Sequence, residues 1–325
     1  MAILVTGGAG YIGSHMVLAL LEAGREVVVL DDLSKGFRDA VPTGVTFVHG
    51  DVGDQALVAR LIDAHQISAV FHFAGSVVVP ESVERPLDYY ANNTSKTRDL
   101  IEACVGGGVG SFIFSSTATV YGIPEVSPIP EDTPLSPISP YGASKVMSEW
   151  MLADAARAHG FGYAILRYFN VCGADPARRA GQRMKGGTHL IKAAAEVVAG
   201  RRAEITVFGS DYPTRDGTCI RDYVHVSDLA DAHYRALVHL EAGGDDLVLN
   251  CGYGHGYTVR EVLAAVDAET NRPLVIREGP RRSGDAATLV ADTGRIRREL
   301  NWRPRFDDLR VMVRTALDFE ASALP

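Results

Sequence analysis

Cysteine is scarce in this chain. Among its 325 residues it has four, Cys104, Cys172, Cys219 and Cys251. They lie far apart, and none has the short paired spacing of zinc ligands. Cysteines without such a pattern are typical of a reducing compartment. We therefore expect no metal site and a cytoplasmic location.

Long apolar runs and long basic runs are also missing. Only four apolar residues, Ala2 to Val5, precede Thr6, which is too short for a signal peptide or a membrane span. The formal net charge is -8. This argues against nucleic acid as a partner, although a local basic patch for phosphates stays possible. The chain has no internal repeat, and its length suits one large domain or two ordinary ones.

Glycine, in contrast, is concentrated near the beginning. A short apolar segment typical of a buried parallel strand is followed at once by Gly7, Gly10 and Gly13. The run can be read as G-x-x-G-x-x-G from Gly7 or as G-x-G-x-x-G from Gly8. Helical periodicity follows, and Gly24 is placed to end the helix. A strand, a glycine turn and a helix N-terminus together predict a dinucleotide site, because backbone N–H groups can approach a pyrophosphate there.

An acidic residue ends the second apolar segment, 26–31. Asp31 lies about 20 residues beyond the glycine run, where a carboxylate holds the hydroxyls of an adenosine ribose. A carboxylate would repel a 2′-phosphate, so NAD is predicted rather than NADP. Asp32 is the alternative ribose ligand, or it begins a solvated loop through Lys35.

Apolar strands and amphipathic helices then alternate. Further strands are predicted at residues 45–48, 69–75, 111–117 and 160–168. A long helix is predicted from Leu87 to Cys104. This alternation predicts an α/β fold of the Rossmann type, with a doubly wound parallel sheet.

Two polar residues near these strands have alternative interpretations. Asp51 follows the strand at 45–48 and could bond an adenine amino group, or it could cap the helix that begins at Gln55. His72 lies within an apolar run, where we expect a satisfied core histidine rather than a ligand.

A phenol and an amine lie one helical turn apart in the helix that Ser139 and Pro140 open. Tyr141 and Lys145 would share one face of that helix. A nearby cation lowers the pKa of a tyrosine from about 10, which would allow Tyr141 to act as a general base or acid. Alone, this spacing is also common for a partly buried tyrosine beside a solvated lysine.

Three hydroxyls end the preceding strand, those of Ser115, Ser116 and Thr117. Ligands of open parallel sheets lie beyond the carboxyl ends of the strands. Any of the three could therefore bond a substrate hydroxyl near Tyr141, or could be satisfied by the backbone.

The second half of the chain also interleaves strands with helices. Helices are predicted at residues 189–200, 226–239 and 258–270, and a strand at 247–250. Thr258 and Glu261 have the spacing of a capping box. Later elements can thus return to the first sheet, so we expect no single clean boundary between the domains.

Several motifs together resemble the extended short-chain dehydrogenase/reductase superfamily. They are Gly7-x-x-Gly10-x-x-Gly13, Asp31, the strand end at Ser115 to Thr117, and Tyr141-x-x-x-Lys145. Further segments narrow the resemblance to the UDP-glucose 4-epimerase family. These are Phe114 to Gly122, Leu166 to Asn170, Phe208 to Thr218, Arg221 to Asp228, Arg281 to Asp285 and Asn301-Trp302. The similarity extends from Met1 to about Trp302, and the segment from 208 to 228 is its most specific part.

The resemblance implies an NAD-binding Rossmann domain at 1–169, which receives some later elements, and a smaller C-terminal α/β domain at 170–325 for a UDP-sugar. It implies reversible C4 epimerisation of a UDP-hexose through a 4-keto sugar, with NAD kept bound. Tyr141 would be the base, directly or through Thr117, and Lys145 would lower its pKa and hold the nicotinamide ribose. A homodimer built on the helices that begin near Leu87 and Tyr141 is implied as well.

The residues that the resemblance assigns form two sets. The cofactor set is Gly7, Gly10, Tyr11, Ile12, Gly13, Asp31, Asp32, Leu33, Ser34, Lys35, Asp51, Val52, Phe73, Ala74, Gly75, Asn93, Ser115, Tyr141, Lys145 and Phe169. The substrate set is Thr117, Tyr141, Asn170, His189, Leu190, Thr206, Val207, Phe208, Arg221, Arg282 and Asp285. Arg221 and Arg282 suit a diphosphate, because a guanidinium offers paired donors.

Three positions depart from the pattern of the family. Val77 replaces a lysine that contacts the cofactor, and His189 replaces an asparagine that contacts the substrate. Leu289 lies at a site where residue size influences acceptance of N-acetylated sugars, and leucine is of intermediate size.

Other activities remain as alternatives. A UDP-pentose or UDP-N-acetylhexosamine 4-epimerase fits the same residues. A 4,6-dehydratase or decarboxylase fits less well, because residues 116–119 lack the acidic pair expected for dehydration. A non-catalytic NAD-binding sensor is the alternative of another class, but it would need none of Tyr141, Lys145 and Thr117.

Overall fold

The computed structural model describes residues 1–183, 189–270, 273–282 and 284–322. Within these ranges the strands are β1 (Ile3–Thr6), β2 (Val27–Asp31), β3 (Thr46–His49), β4 (Ala69–His72), β5 (Ser111–Thr117), β6 (Gly162–Tyr168), β7 (Asn170–Cys172), β8 (Ile205–Phe208), β9 (Ile220–Arg221), β10 (Tyr223–His225), β11 (Leu247–Cys251), β12 (Tyr257–Thr258), β13 (Ile276–Gly279) and β14 (Thr288–Leu289).

The α-helices are α1 (Tyr11–Glu22), α2 (Gln55–His65), α3 (Val79–Glu84), α4 (Pro86–Tyr89), α5 (Lys96–Gly106), α6 (Pro140–His159), α7 (Leu190–Val198), α8 (Val226–Glu241), α9 (Val259–Glu269), α10 (Gly294–Glu299) and α11 (Leu309–Ser322). No helix in the described part of the chain is long and apolar enough to cross a membrane.

Two compact units are interleaved along the sequence. The first consists of Met1–Gly122, Pro134–Arg167 and Ala230–Leu249. The second consists of Ile123–Thr133, Tyr168–Leu229 and Asn250–Pro325. Each unit therefore contains several separate stretches of the chain.

The first unit is organised by a seven-stranded sheet with the order β11-β6-β5-β4-β1-β2-β3. The pairs of β1 with β2 and β4, of β2 with β3, and of β4 with β5 are parallel. The chain builds outward from β1 to β3 and then returns to the other side of β1, so the order reverses between β1 and β4. The prediction of a Rossmann-type, doubly wound sheet is confirmed, and ligands of such sheets bind where the strand order reverses.

Apolar side chains hold the helices against this sheet. Leu4, Val28, Val70 and Phe112 are at most 1% exposed and form one cluster with residues of α2 and α5. Burying a side chain of this size contributes about 1.5–3 kcal/mol. The strands are rich in Val and Ile because both of their faces are covered.

The predicted long helix from Leu87 to Cys104 is wrong in one respect. The chain forms α4, then a π-helix at Tyr90–Ser95, and only then α5. A π-helix is a short, uncommon segment that occurs mostly at functional sites. Here it carries Asn93, which is 2% exposed.

Small sheets and helices build the second unit. Strand β7 pairs with β10, β8 pairs with β13, and β9 lies between β12 and β14. Helix α11 packs against α7 and α9. The predicted capping box is confirmed, because the Thr258 side chain accepts from the Glu261 N–H while the Glu261 side chain accepts from the Thr258 N–H.

Candidate active site

The glycine turn connects β1 to α1 at the point where the sheet order reverses. Gly7 has φ +72°, and a Cβ there would lie 2.6 Å from the backbone nitrogen of Ala74 in the segment after β4. A Cβ on Gly13 would overlap the carbonyl oxygen of Gly7. Gly10 caps α1 without a side-chain bond. Only glycine at these positions lets the first turn of α1, which contains Tyr11 and Ile12, pack directly on the loop. A pyrophosphate site needs this close packing.

Asp31 ends β2 beside this turn and is 6% exposed. Its carboxylate accepts from the N–H of Ala9 at 2.9 Å and from the N–H of Leu33 at 2.8 Å. Burial raises the pKa of Asp31 although these two bonds favour the charged form. The residue predicted to bind the ribose therefore also fixes the glycine turn.

The loop after Asp31 is exposed and locally bonded. Asp32 accepts from the Ser34 N–H at 2.9 Å and from the Ser34 hydroxyl at 2.6 Å. Leu33 has φ +57°. Asp32 thus begins and shapes the solvated loop that leads to Lys35, which is the alternative to a role as ribose ligand.

Asp51 is not a helix cap. It accepts from Lys96 at 2.6 Å and from the Gly53 N–H at 2.8 Å. Partial burial opposes its ionisation, but these hydrogen bonds lower its pKa overall. Asp54 caps α2 instead, accepting from the Leu57 N–H at 2.9 Å. Asp51 and the buried Val52 remain in the predicted adenosine set.

Asn93 joins the segment after β4 to helix α6. Its Oδ1 accepts from the Ser76 N–H at 2.7 Å, and its Nδ2 donates to the Ser76 carbonyl at 2.9 Å and to the Ser144 hydroxyl at 3.1 Å. A Cβ on Gly75 would lie 3.0 Å from Asn93 Oδ1 and 3.8 Å from Lys145 Nζ. The structure therefore brings Phe73, Ala74, Gly75, Asn93 and Lys145 together.

His72 is a satisfied core histidine, as predicted. Its ring nitrogens lie 2.7 Å from the Thr6 hydroxyl and 2.9 Å from the Thr97 hydroxyl. Burial, with a smaller contribution from the charge of Lys145, lowers its pKa to about 3.

Tyr141, Thr117 and Lys145 form a buried cluster at the end of β5. The hydroxyls of Tyr141 and Thr117 are hydrogen-bonded. Lys145 donates to the Ser115 carbonyl at 2.9 Å and lies 4.8 Å from the centre of the Phe114 ring. Tyr141 and Thr117 are each 7% exposed and Lys145 is 4% exposed.

The expectation of a pKa below about 10 for Tyr141 is wrong for this structure. Burial raises the pKa of Tyr141 to about 12, and the bond from Thr117 only partly offsets that effect. Burial also lowers the pKa of Lys145 to about 8, against the opposing charge of Glu149. Loss of hydration disfavours both charged forms, and at Lys145 it outweighs the charge of Glu149.

One buried group of polar residues was not identified from the sequence. Glu149, one turn beyond Lys145, accepts from the Ser116 hydroxyl and from Arg167, and all three are at most 6% exposed. The one available signal was the position of Glu149 on the face shared by Tyr141 and Lys145.

In the second unit, Arg221 donates through Nη1 to the Ile220 carbonyl at 2.9 Å, and the carboxylate and ring contacts of Arg221 and Arg282 are weak. Arg221 Nη2 lies 3.5 Å from Asp285, and the two side chains are 12% and 34% exposed. The Arg282 guanidinium lies 3.9 Å from the centre of the Phe208 ring, at the end of the strand that carries Thr206 and Val207.

One cavity in the second unit is lined by three more of the predicted substrate residues, Asn170, His189 and Leu190. His189 Nδ1 is bonded to the Gln182 amide, and burial lowers the pKa of His189. Phe169 lies immediately before this group, with its N–H bonded to the Cys251 carbonyl at 3.1 Å. The structure thus brings the predicted substrate residues together in small groups.

The departures from the family pattern occupy different environments. Val77 is 44% exposed. Leu289 in β14 is the register partner of Arg221 in β9.

Comparison with known proteins decides the family. Residues 3–252 match the model of the NAD dependent epimerase/dehydratase family. The chain belongs to this family. Its cofactor is NAD, as predicted.

Individual relatives confirm the narrower resemblance. The UDP-glucose 4-epimerase of Azospirillum brasilense is 54% identical over 320 residues, which cover 98% of this chain and 92% of that protein. The crystal structure of UDP-glucose 4-epimerase from Brucella ovis in complex with NAD has a TM-score of 0.95 and 42% identity, and 98% of this chain and 97% of that chain are covered. The UDP-Glc/GlcNAc 4-epimerase of Campylobacter jejuni has a TM-score of 0.87 and 44% identity, with 99% of each chain covered.

Proposed function

We propose that this protein catalyses the reversible C4 epimerisation of a UDP-hexose, UDP-glucose and UDP-galactose, with tightly held NAD. The observation that carries the proposal is the buried Tyr141–Thr117 hydroxyl pair beside Lys145, at the carboxyl end of β5. A binding module needs no such cluster, whereas oxidation of a sugar carbinol needs a group that accepts its proton.

The residues at the sheet edge fit NAD. Gly7 leaves no room for a side chain against the segment after β4, Gly13 leaves none between the turn and α1, and Asp31 lies at the end of β2. All of the assigned cofactor residues except Phe169 belong to the first unit, and all of the assigned substrate residues except Thr117 and Tyr141 belong to the second. Bound NAD supplies a reversible hydride acceptor for C4 of the sugar.

Tyr141 and Thr117 would handle the proton. The Thr117 hydroxyl can bridge the 4-hydroxyl of the sugar to the Tyr141 oxygen, or Tyr141 can take the proton directly. Because the pKa of Tyr141 is about 12, the phenol is protonated at neutral pH in the absence of ligands. The charge of Lys145 would assist phenolate formation once the ligands are bound.

Burial of Tyr141 constrains the stereochemistry. The ring is 7% exposed and packs edge-on against Tyr89, with ring centres 6.4 Å apart. A phenol held in this way cannot move to the other face of a sugar. The 4-keto sugar must therefore turn over within the site while the UDP remains anchored.

Arg221 and Arg282 would anchor the diphosphate. Each guanidinium has one replaceable partner, which is the distant Asp285 carboxylate for Arg221 and the Phe208 ring for Arg282, while Arg221 Nη1 stays bonded to the Ile220 carbonyl. Charge-assisted bonds to phosphate are stronger than either contact, so the arginines can exchange partners when substrate binds.

The preferred sugar depends on residues near Arg221. Leu289, its register partner, has intermediate size, so a UDP-N-acetylhexosamine is the second candidate substrate and a UDP-pentose the third. The Campylobacter jejuni relative, a UDP-Glc/GlcNAc 4-epimerase, favours testing the N-acetylated sugar.

Turnover by the purified protein tests the proposal. UDP-galactose, UDP-N-acetylgalactosamine and UDP-xylose should be supplied separately, without added NAD, and products identified by NMR. Conversion of UDP-galactose to UDP-glucose at catalytic rates is expected. Bound NAD with no turnover of any of the three would overturn the proposal and favour the sensor.

We also propose that the protein is a homodimer. Exposed apolar residues occur on α3, α4 and α6 of the first unit: Val83, Leu87, Met147 and Trp150 are 62%, 78%, 39% and 59% exposed. Pairing of these helices with their copies would bury them. Light scattering should give twice the chain mass, and Trp150→Glu should give the monomer. A monomeric wild-type protein at micromolar concentration would contradict this.

A cytoplasmic location is proposed on the state of the cysteines. All four are free and buried, as suits a reducing compartment. Cell fractionation of the native protein tests this, and recovery outside the cytoplasm would contradict it.

A further inference from the structure

Three consecutive residues of β5 hold three residues of α6. The Ser115 carbonyl accepts from Lys145 at 2.9 Å, the Ser116 hydroxyl donates to Glu149, and the Thr117 hydroxyl bonds Tyr141. Tyr141, Lys145 and Glu149 follow one another at intervals of one helical turn, so all three lie on one face of α6. Along β5, the contact of Ser116 with Glu149 therefore lies between the contacts made by Lys145 and Tyr141, the two proposed reactive residues.

Glu149 is in turn held by a buried arginine on the neighbouring strand. In β6, Arg167 Nε lies 3.1 Å from each carboxylate oxygen of Glu149, and Nη2 lies 2.6 Å from Oε2. Arg167 Nη1 donates to the Tyr121 hydroxyl at 3.0 Å. Glu149 is 3% exposed and Arg167 is 6% exposed. Such forked geometry fixes the carboxylate in position.

The Glu149 carboxylate acts on Lys145 without contacting it. Burial lowers the pKa of Lys145 to about 8, and the charge of Glu149 opposes that change. The other charged or titratable groups near this pair are Arg167 on β6, whose cation partly offsets the charge of Glu149, Tyr141 on α6 and His72 on β4. His72 is neutral because its pKa is about 3. Glu149 is thus the negative charge that favours the ammonium form of Lys145.

We propose that Glu149 is a positioning residue for the reaction, which holds α6 on β5 and β6 through Ser116 and Arg167 and keeps Lys145 charged beside Tyr141. The proposal rests on the function proposed above. Glu149 touches neither substrate nor cofactor in this role. Its effect passes through Lys145, and its removal should change the rate of the chemical step and its pH dependence rather than UDP-sugar binding.

Glu149→Gln is the direct test. The amide can still accept from Ser116 and is nearly isosteric, but it carries no charge. Residues four apart on a helix have Cβ atoms about 5–6 Å apart. At an effective dielectric constant of about 20, a unit charge at such a distance shifts a pKa by about one unit or more. The alkaline fall of kcat should therefore move to lower pH by about one unit, with kcat reduced about fivefold at pH 8 and KM changed less than twofold.

Glu149→Gln leaves Arg167 buried without its counter-ion, and the variant could fail to fold. The double variant Glu149→Gln/Arg167→Gln removes both charges and keeps amide hydrogen bonding, so it should fold. Because the Arg167 cation partly offsets the Glu149 charge, the shift in the double variant should have the same direction and be smaller. Glu149→Asp keeps the charge, and its alkaline limb should stay within about 0.3 unit of wild type. Asp154→Asn removes a 74% exposed carboxylate from the same helix and is the matched control.

The outcomes are distinct. A shift in Glu149→Gln and the double variant, but not in Glu149→Asp or Asp154→Asn, supports the proposal. A loss of melting temperature with an unchanged pH profile would overturn it, because a purely structural residue acts in that way. The failure of the proposed function would instead appear as wild-type protein that turns over no UDP-sugar. In that case the pKa of Lys145 can be measured by NMR titration in the wild type and in Glu149→Gln. A lower pKa in the variant supports the role of Glu149, and an unchanged pKa overturns it.

Discussion

The two groups of predicted site residues differ in how firmly the protein holds them. In the first unit, Tyr141, Thr117 and Lys145 are buried and bonded to protein partners. In the second unit, Arg282 lies on the Phe208 ring and Arg221 is 3.5 Å from a carboxylate. A reaction that moves a proton needs fixed distances, whereas diphosphate binding needs donors that can change partners. The first group is therefore preorganised, and the second is adapted to respond to a ligand.

This comparison predicts a division of kinetic effects. Substitutions in the buried group should lower kcat, because they affect interactions made in the transition state. Substitutions of the arginines should raise KM, because they remove binding that is equal in the ground and transition states.

The largest effect is expected for Tyr141→Phe. Removing the hydroxyl removes the proton acceptor, so kcat should fall about 10²–10⁴-fold while UDP affinity stays unchanged. Steady-state turnover of UDP-galactose and calorimetry with UDP measure the two quantities. Tyr163→Phe, the same change on a partly exposed tyrosine of β6, is the control. Near-normal turnover by Tyr141→Phe would remove Tyr141 from the mechanism.

Gly13→Ala tests whether the cofactor turn is as tightly built as the Tyr141 cluster. The added Cβ overlaps the Gly7 carbonyl, and overpacking of this kind costs about 1–3 kcal/mol. We expect NAD affinity to fall about 5- to 150-fold, measured by the NAD content of the purified protein and by titration.

The control for that variant is Gly106→Ala. Gly106 ends α5, and a Cβ there would meet no atom within 4 Å. This variant should keep its NAD and be as stable as wild type or slightly more so, because alanine favours the helix. Equal NAD retention by both variants would show that the turn tolerates a side chain.

Features that depend on neighbours in sequence could be predicted. The glycine turn, the strand Ser111–Thr117 and the start of α6 at Ser139 and Pro140 follow from local backbone chemistry. The Thr258–Glu261 capping box does so as well. In each case a few adjacent residues satisfy one another, so the sequence contains the whole cause.

Features that depend on burial and on tertiary contacts could not be predicted from the sequence. The pKa of Tyr141 reflects the loss of water around the whole ring, which no short motif encodes. Glu149 and Arg167 lie far apart in sequence and meet only because α6 packs on β6. The π-helix around Asn93 is stabilised by bonds to Ser76 and Ser144, which lie in other elements. These errors fall in the preorganised group, where tertiary contacts decide the chemistry.

Arg282→Ala tests the adaptable group. A hydrogen bond to a charged group contributes about 1.5–3 kcal/mol, so KM for the UDP-sugar should rise about 10- to 100-fold with kcat within twofold of wild type. Arg281→Ala is the matched neighbour. Arg281 is bonded to Asp211 and lies 4.2 Å from the Tyr212 ring centre, so its loss should change KM less than about threefold. A large fall of kcat in Arg282→Ala would contradict the proposed division.

The pH profile of the wild-type enzyme gives the smallest effect and separates two roles within the buried group. Lys145, with a pKa of about 8, is charged below that pH and loses its charge as pH rises through it. If its charge limits the chemical step, kcat should fall to about half near pH 8 and continue downward. Tyr141, with a pKa of about 12, gains phenolate as pH rises, so limitation by Tyr141 alone would make kcat increase over the same interval. We expect the fall, because the phenolate forms beside Lys145 only while that side chain is protonated, and a kcat that rises between pH 7 and 9 would show that Lys145 serves only to hold the cofactor.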